Sequence, residues 1–349
     1  MSVEKSLAIP PSIAASDNLA IVMQGVFKNM DEKNGDHSIS GFWEGIRFTR
    51  LTNERYESRF AGISLPDLLF GAEYTQGTIR MQGVIAKDTL SLAFTSGKLS
   101  VMGSRSQPAL NIFGPGTAVD ATQRGESSFH SVLLRGSMLT RLLAGNEGEL
   151  IARRWLAPRL HRPFVADVEA GWLYQLLHDL AGVITTVPAA LLKPGSLRLA
   201  RDDVLAATHA ILVAAEPGMT TAPIATAFRR RALALAAEEL IWSQPNQVIS
   251  LAGICQSLNT SVRTLQLAFQ EQFGVTFKTF LRAVRLHQAH TAILRAGHRH
   301  TLATIAIEHG FWHLGRFTHY YRQLFGCAPS TTRRRIWGNK ETELSEMAG

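Results

Sequence analysis

Apolar residues recur with two different periods along the chain. Between Gly41 and about Leu134 they form short stretches separated by glycine and turn residues, as at 78–85 and 89–94. Short apolar stretches at intervals of about ten residues are typical of strands in a sandwich or small barrel. After Ser137 the apolar spacing becomes helical, for example at 197–213. The sequence therefore predicts a β-rich N-terminal region followed by helices.

A change of composition at 216–223 indicates a boundary between two domains. Two prolines flank a run of glycine and threonine there, which is typical of a linker. The expected fold class is α+β, in which a β-rich N-terminal domain with following helices precedes an all-α C-terminal domain. The predicted organisation is a flexible N-terminus at 1–20, a domain at 21–215 that is β-rich to about 135, a linker at 216–223, a helical domain at 224–338 and a tail at 339–349.

The C-terminal domain contains an internal repeat. Ile254, Cys255 and Asn259 match Ile305, Ala306 and Gly310 at an offset of 51 residues; Leu265, Phe269 and Phe273 match Phe317, Tyr321 and Phe325 at an offset of 52 residues. Glycine and asparagine adopt left-handed turn conformations at low cost, and small residues let two helices approach closely. Apolar residues four apart give the second helix of each repeat a buried face. Each repeat is therefore predicted to be a helix-turn-helix unit.

The helix between the two repeats is predicted to be about as long as one turn of B-DNA. The sequence predicts a helix over 276–296, which at about 1.5 Å per residue is roughly 30 Å long. This length is close to one turn of B-DNA, about 34–36 Å, so two recognition helices could enter successive major grooves.

The positive charge of the chain is concentrated in the same region. The net charge is +8, from 36 lysines and arginines and 28 aspartates and glutamates. Residues 228–335 hold 14 of the basic and 4 of the acidic residues, whereas the rest of the chain holds 22 and 24. A basic unit beside a near-neutral one favours a polyanion such as double-stranded DNA as the partner.

The repeat and the linking helix resemble the DNA-binding domain of the AraC/XylS transcription regulators. The resemblance covers about residues 225–338 and includes Arg285, Ala289 and the ending Pro329-Ser330; the run 310–317 is also similar to a subgroup that includes the ethanolamine-utilisation regulator. It implies a sequence-specific regulator, an activator that works with RNA polymerase. It further implies that the N-terminal domain senses a small molecule, forms a homodimer, or does both. The effector and its binding residues are unknown from the sequence.

Two sets of side chains are candidates for DNA contact. Arginine can donate two hydrogen bonds to guanine, and glutamine can pair with adenine; the resemblance also places Arg263 and Gln266 at base-contacting positions. The predicted base contacts are Arg263, Gln266, Leu267, Leu314, Arg316 and His319. The predicted phosphate contacts are Ser261, Thr264, Gln270, His313, Thr318 and Arg322. Trp312 is expected to be half-buried packing, and the triplets 229–231 and 333–335 to be solvated.

The sequence gives little support to a catalytic, metal-binding or membrane function. The two cysteines, Cys255 and Cys327, exclude a disulfide framework and a four-thiolate zinc site, which fits a reducing cytoplasm. We expect no metal, cofactor, catalytic site or membrane contact, because no phosphate-binding loop, nucleophile motif or long apolar run is present. Two alternatives stay open: an architectural DNA-binding protein without effector control, and an enzyme whose activity lies in the β-rich part.

Overall fold

The structure is a computed structural model that describes residues 21–27, 41–101, 104–105, 109–158, 161–165, 168–191, 193–215, 225–243, 250–296 and 300–335. The predicted N-terminal segment 1–20, the linker 216–223 and the tail 339–349 lie outside these residues.

An antiparallel sheet forms the first half of the described chain. Its strands are β1 (Ile21–Phe27), β2 (Trp43–Arg50), β3 (Glu57–Leu65), β4 (Leu68–Gln76), β5 (Ile79–Ile85), β6 (Leu90–Val101), β7 (Ser104–Arg105), β8 (Ala109–Phe113), β9 (Ala118–Leu134) and β10 (His161–Val165). The main path runs β1-β3-β4-β9-β6-β8-β10, while β2 pairs with β5 and β5 with β9. The 17-residue β9 therefore joins the two parts of the sheet, since β4 and β5 pair with different stretches of it.

Helices cover one face of this sheet. They are α1 (Gly136–Leu142), α2 (Gly148–Trp155), α3 (Val168–Thr186), α4 (Pro188–Leu191) and α5 (Pro194–Ala214). Leu173 and Leu177 of α3 and Val204 of α5 share one buried cluster with the apolar side chains of β3, β4, β6, β8 and β9. The indole of Trp155 is fully buried and donates to the Leu212 carbonyl at 2.7 Å. This cluster is the core of the N-terminal domain.

The C-terminal domain is helical throughout its described residues. Its helices are α6 (Ala225–Ser243), α7 (Leu251–Ser257), α8 (Val262–Phe273), α9 (Phe277–Ala296), α10 (Leu302–Glu308) and α11 (Leu314–Phe325). Phe280 and Val284 of α9 belong to one buried cluster with α6, α7 and α8. Leu286 and Ile293 of the same helix belong to a second cluster with α10 and α11. One long helix thus contributes to the cores of both units.

The predicted fold class is confirmed, with two additions in the N-terminal domain. The strand β1 lies within the predicted β-rich part of the domain but before the strand-like pattern that begins at Gly41, and β10 lies within the part of the chain that was expected to be helical. Strand β10 pairs with β8 at an end of the main sheet path, so long-range pairing decides its conformation. In the part of the chain that the structure describes, no helix is both long and apolar enough to cross a membrane.

Candidate nucleic-acid interface

The first helix-turn-helix unit consists of α7, a turn and α8. Ser250 begins α7 with a side-chain cap, since its Oγ accepts from the Gly253 N–H at 3.0 Å. The turn contains Asn259, whose φ of 47° is the left-handed conformation expected from the sequence. Ser261 then caps α8, because its Oγ accepts from the Thr264 N–H at 3.1 Å. Local sequence signals therefore define both helices of the unit.

The second unit repeats this design in α10, a turn and α11. Thr301 caps α10 through the Thr304 N–H at 3.0 Å, and Gly310 has a φ of 80° in the turn. A Cβ atom at residue 310 would lie 3.2 Å from the guanidinium carbon of Arg285 on α9. Burial lowers the pKa of this arginine, which packs under the turn. Glycine at 310 thus avoids strain in the left-handed turn and leaves room for the Arg285 guanidinium.

The two recognition helices, α8 and α11, present their predicted reading faces outward. Each of the six predicted base contacts lies on an exposed position: Arg263, Gln266, Leu267, Leu314, Arg316 and His319. Between these positions, Leu265 and Phe269 of α8 and Phe317 and Tyr321 of α11 are buried. The amphipathic pattern of each helix therefore separates a packing face from a face that is available to DNA, and base contact by these residues stays a prediction.

The predicted phosphate contacts surround these faces. All are exposed except Thr318, which is half-buried: Ser261, Thr264, Gln270, His313, Thr318 and Arg322. The hydroxyls of Ser261 and Thr264 are 2.8 Å apart and hydrogen-bonded to each other. The Gln270 side-chain amide donates to the Gly274 carbonyl at 3.2 Å. These three side chains stabilise the ends of α8, and their contact with phosphate stays a prediction.

The expectation for Trp312 was wrong. Its side chain is 67% exposed in the turn before α11, rather than half-buried. The neighbouring Phe311 takes the inward position and packs against Phe317, with 5.2 Å between the ring centroids. Because consecutive residues of this turn point to opposite sides, Trp312 faces solvent beside the recognition helix.

A buried charge cluster joins the two domains behind the recognition helices. Arg80 of β5 is fully buried and contacts Glu238 of α6 at 2.6 Å and Asp120 of β9 at 3.0 Å. The amide of Gln272 on α8 donates to Asp120 at 3.1 Å, and the Arg80 guanidinium lies 4.3 Å from the centre of the Phe273 ring. Burial raises the pKa of Glu238 to about 7 and lowers the pKa of Arg80.

Two further arginines of the N-terminal domain contact the recognition helices directly. The guanidinium of Arg124 on β9 donates to the Glu271 carbonyl of α8 at 3.0 Å. The guanidinium of Arg50, the last residue of β2, donates to the Leu324 carbonyl of α11. The backbone N–H of Arg50 also donates to Nε2 of His287 on α9 at 3.1 Å. The N-terminal domain therefore contacts both helix-turn-helix units.

These contacts between the domains were not predicted from the sequence. Arg230 and Arg231, which were expected to be solvated, also form ion pairs, with Glu271 at 2.5 Å and with Asp120 at 3.5 Å. The available signal was a charged residue within a predicted strand, as for Arg80 in β5. A buried charge requires a partner, but the sequence does not reveal which one.

The comparison with known families agrees with this geometry. Residues 254–335 match the family described as a helix-turn-helix domain, which begins in α7 and ends beyond α11. One relative is the XylDLEGF operon transcriptional activator 3 of Pseudomonas putida. It is 35% identical over 106 residues, or 29% of this chain and 32% of that protein. The C-terminal domain is therefore similar to the helix-turn-helix domain of AraC/XylS-type operon regulators.

A second operon regulator is similar to this chain over a region of comparable length. The probable thc operon regulatory protein of Rhodococcus erythropolis is 34% identical over 101 residues, 29% of this chain and 30% of that protein. The matched region thus spans about a third of the length of these curated relatives, which are transcription regulators rather than enzymes. The solved structure of ToxT from Vibrio cholerae with a bound unsaturated fatty acid aligns over 78% of this chain and 97% of its own, at 13% identity and a TM-score of 0.27.

Proposed function

We propose that this protein is a sequence-specific transcription regulator that places α8 and α11 in successive major grooves of double-stranded DNA. The observation that carries the proposal is the pair of exposed, arginine-bearing faces on two recognition helices joined by α9. Helix α9 has 20 residues and is about 30 Å long, a distance close to one turn of B-DNA. The basic charge of this domain supplies the attraction to phosphate.

The N-terminal domain is proposed to bind a small-molecule effector. It contains polar side chains within the sheet, including Asn111, which donates to Thr95 at 3.1 Å, and the hydroxyls of Ser96 and Ser128, which are 2.7 Å apart. A few polar groups among apolar ones are typical of ligand sites. An effector that binds one arrangement of the two domains better than another would shift the population between them. In this proposal the protein lies in the cytoplasm, and it acts as an activator that contacts RNA polymerase.

A homodimer is part of this proposal. Helices α3 and α5 pack on each other and carry large apolar side chains that are exposed in one chain: Trp172, Val183 and Leu199. Burial of such side chains is the usual driving force of association. Sedimentation of the Leu199→Glu variant beside the unchanged protein tests this step, since the variant should be shifted toward the monomer.

The test of the proposed function is a DNA titration of the full chain. The duplexes are the DNA upstream of its own coding region and a shuffled version of the same composition, each at two salt concentrations. A sequence-specific regulator should prefer the natural duplex by about a thousandfold. Equal and strongly salt-dependent binding to both duplexes would instead support the architectural alternative. Absence of binding to either duplex would contradict both DNA-binding functions for this region.

A further inference from the structure

The N-terminal domain contacts both recognition helices in their last turns, at positions that differ by one residue in the repeat. Arg124 donates to the carbonyl of Glu271, and Arg50 donates to the carbonyl of Leu324. Glu271 lies two residues before the end of α8, and Leu324 lies one residue before the end of α11. In the internal repeat, Gln272 is the counterpart of Leu324. One arginine of the sheet thus caps the last turn of each recognition helix.

These caps satisfy groups that a helix leaves unpaired. The last four carbonyls of an α-helix have no partner within the helix, and the negative end of the helix dipole lies there. The glycine after each helix donates its N–H to one of these carbonyls. Gly274 donates to the carbonyl of Gln270, and Gly326 donates to the carbonyl of Arg322. A guanidinium that donates to another of them gains both a charge-assisted hydrogen bond and a favourable interaction with the dipole.

The two arginines are held at a fixed separation by the sheet. In the register of β2 and β5, Arg50 pairs with Ile79; in the register of β5 and β9, Ile79 pairs with Gln123, the neighbour of Arg124. The backbones of the two arginines therefore lie one residue out of register and two strands apart, or about 10 Å at the usual strand spacing. Arg80, which binds Glu238 of the first unit, lies next to Ile79 on β5.

We propose that Arg50 and Arg124 are positioning residues, which hold the two recognition helices in one relative orientation and so set the spacing between the two DNA half-sites. The inference rests on the proposed function, because it assumes that both helices read DNA. The contacts lie at the C-terminal ends of α8 and α11, whereas the predicted base contacts begin at their N-terminal ends. The N-terminal domain thus braces both helices from behind while the reading faces stay exposed.

The experiment measures affinity as a function of half-site spacing. The binding site of the full-length protein is first selected from random duplexes, and one or two base pairs are then inserted or removed between its halves. The variants are Arg124→Gln, Arg50→Gln and the double variant. The matched control is Arg59→Gln, since Arg59 is an exposed arginine of β3 that pairs with Glu57 of the same strand. Circular dichroism of each variant reports whether it is folded.

The unchanged protein and Arg59→Gln should lose about tenfold in affinity when the spacing changes by one base pair. In the arginine variants this loss should fall to about threefold or less, while affinity for the best spacing changes little. Arg124 is half-buried, so Arg124→Gln alone keeps the test informative if the Arg50 variants do not fold.

The proposal would be overturned if the arginine variants kept the same spacing preference, which would mean that α9 alone fixes the geometry. A uniform loss of affinity at every spacing would also overturn it, because that is the result expected of a merely structural role. If the unchanged protein selected no sequence at all, the proposed function would fail as well. The result for the unchanged protein therefore separates the two failures.

Discussion

At the scale of single residues, His287 connects protonation to the contact between the domains. The side chain is buried in α9, and its Nε2 accepts the N–H of Arg50. Burial is the main cause that lowers its pKa to about 3, and the nearby His290 and the charge of Arg50 act in the same direction. A hydrogen bond that the protonated ring would donate to the Arg50 carbonyl, 3.4 Å from Nε2, acts in the opposite direction and is a weaker cause. The neutral ring is therefore the form that the folded protein requires.

This environment predicts a loss of stability in acid. The pKa of His287 is about 3 in the folded protein and ordinarily 6.5, so the stabilising neutral form is fully present above pH 6.5. Its contribution is lost as the pH falls from 6.5 toward 3. Between pH 6.5 and 5 the loss should be about 2 kcal/mol. Urea unfolding across this range should give a smaller slope for His287→Gln, which keeps an acceptor but does not titrate; parallel curves would contradict this assignment.

The base-reading arginines lead to a second prediction at this scale. Arg263→Ala and Arg316→Ala should each cost about 1–3 kcal/mol of binding free energy at the selected site and relax the preference at one base pair. The cause is the loss of paired hydrogen bonds to guanine. Affinity measured for every single-base change in the site tests this, with Arg153→Ala as a control that removes one exposed charge from α2. Equal weakening on all sequences would indicate phosphate contacts instead.

At the scale of elements, a glycine follows each recognition helix, but the two glycines have different neighbours. Gly274 and Gly326 have φ values of 72° and 76°, so alanine is strained at either position. A Cβ atom at residue 274 would in addition clash with the guanidinium of Arg124. Because an alanine there displaces a cap as well as straining the turn, Gly274 links the end of α8 to the N-terminal domain.

Gly274→Ala should therefore affect DNA binding differently from Gly326→Ala. Both substitutions should lower the free energy of unfolding by about 1 kcal/mol through backbone strain. Gly274→Ala should also weaken the spacing preference, since it moves Arg124 away from the Glu271 carbonyl. Thermal unfolding and the half-site spacing series measure the two effects separately. An unchanged spacing preference in Gly274→Ala would show that the Arg124 cap does not position α8.

Local signals explain which elements were predictable from the sequence. The caps Ser250 and Ser261, the turn residues Asn259 and Gly310 and the apolar repeat specify the two units through neighbours in the chain. These signals also placed the six predicted base contacts on exposed faces. Strand β10 was missed because its conformation depends on pairing with β8, about fifty residues earlier in the sequence. Trp312 was missed because the sequence did not reveal that Phe311 fills the inward position.

At the scale of the whole molecule, the contact between the domains could not be predicted. Arg80 and Glu238 are 158 residues apart, and nothing in the sequence distinguishes Glu238 from the adjacent Glu239. The composition shows the excess of positive charge in the C-terminal domain. It does not indicate that Glu238 is buried in an ion pair with Arg80. The sequence thus predicts two domains and their reading faces, while the orientation between them depends on tertiary packing.

The buried pair predicts how strongly the domains depend on each other. Arg80→Met should destabilise the protein by about 3–5 kcal/mol, because it leaves Asp120 and Glu238 buried without their shared cation. Adding Glu238→Leu should recover a large part of this loss, since Asp120 retains Arg231 and Gln272 as partners and the second buried carboxylate is gone. Urea unfolding of both single variants and the double variant measures this coupling, with Arg59→Met as the exposed control. If the losses of unfolding free energy in the two single variants simply add up in the double variant, the two side chains do not act as a pair. Apolar packing of Leu51 against the first unit would then hold the domains together.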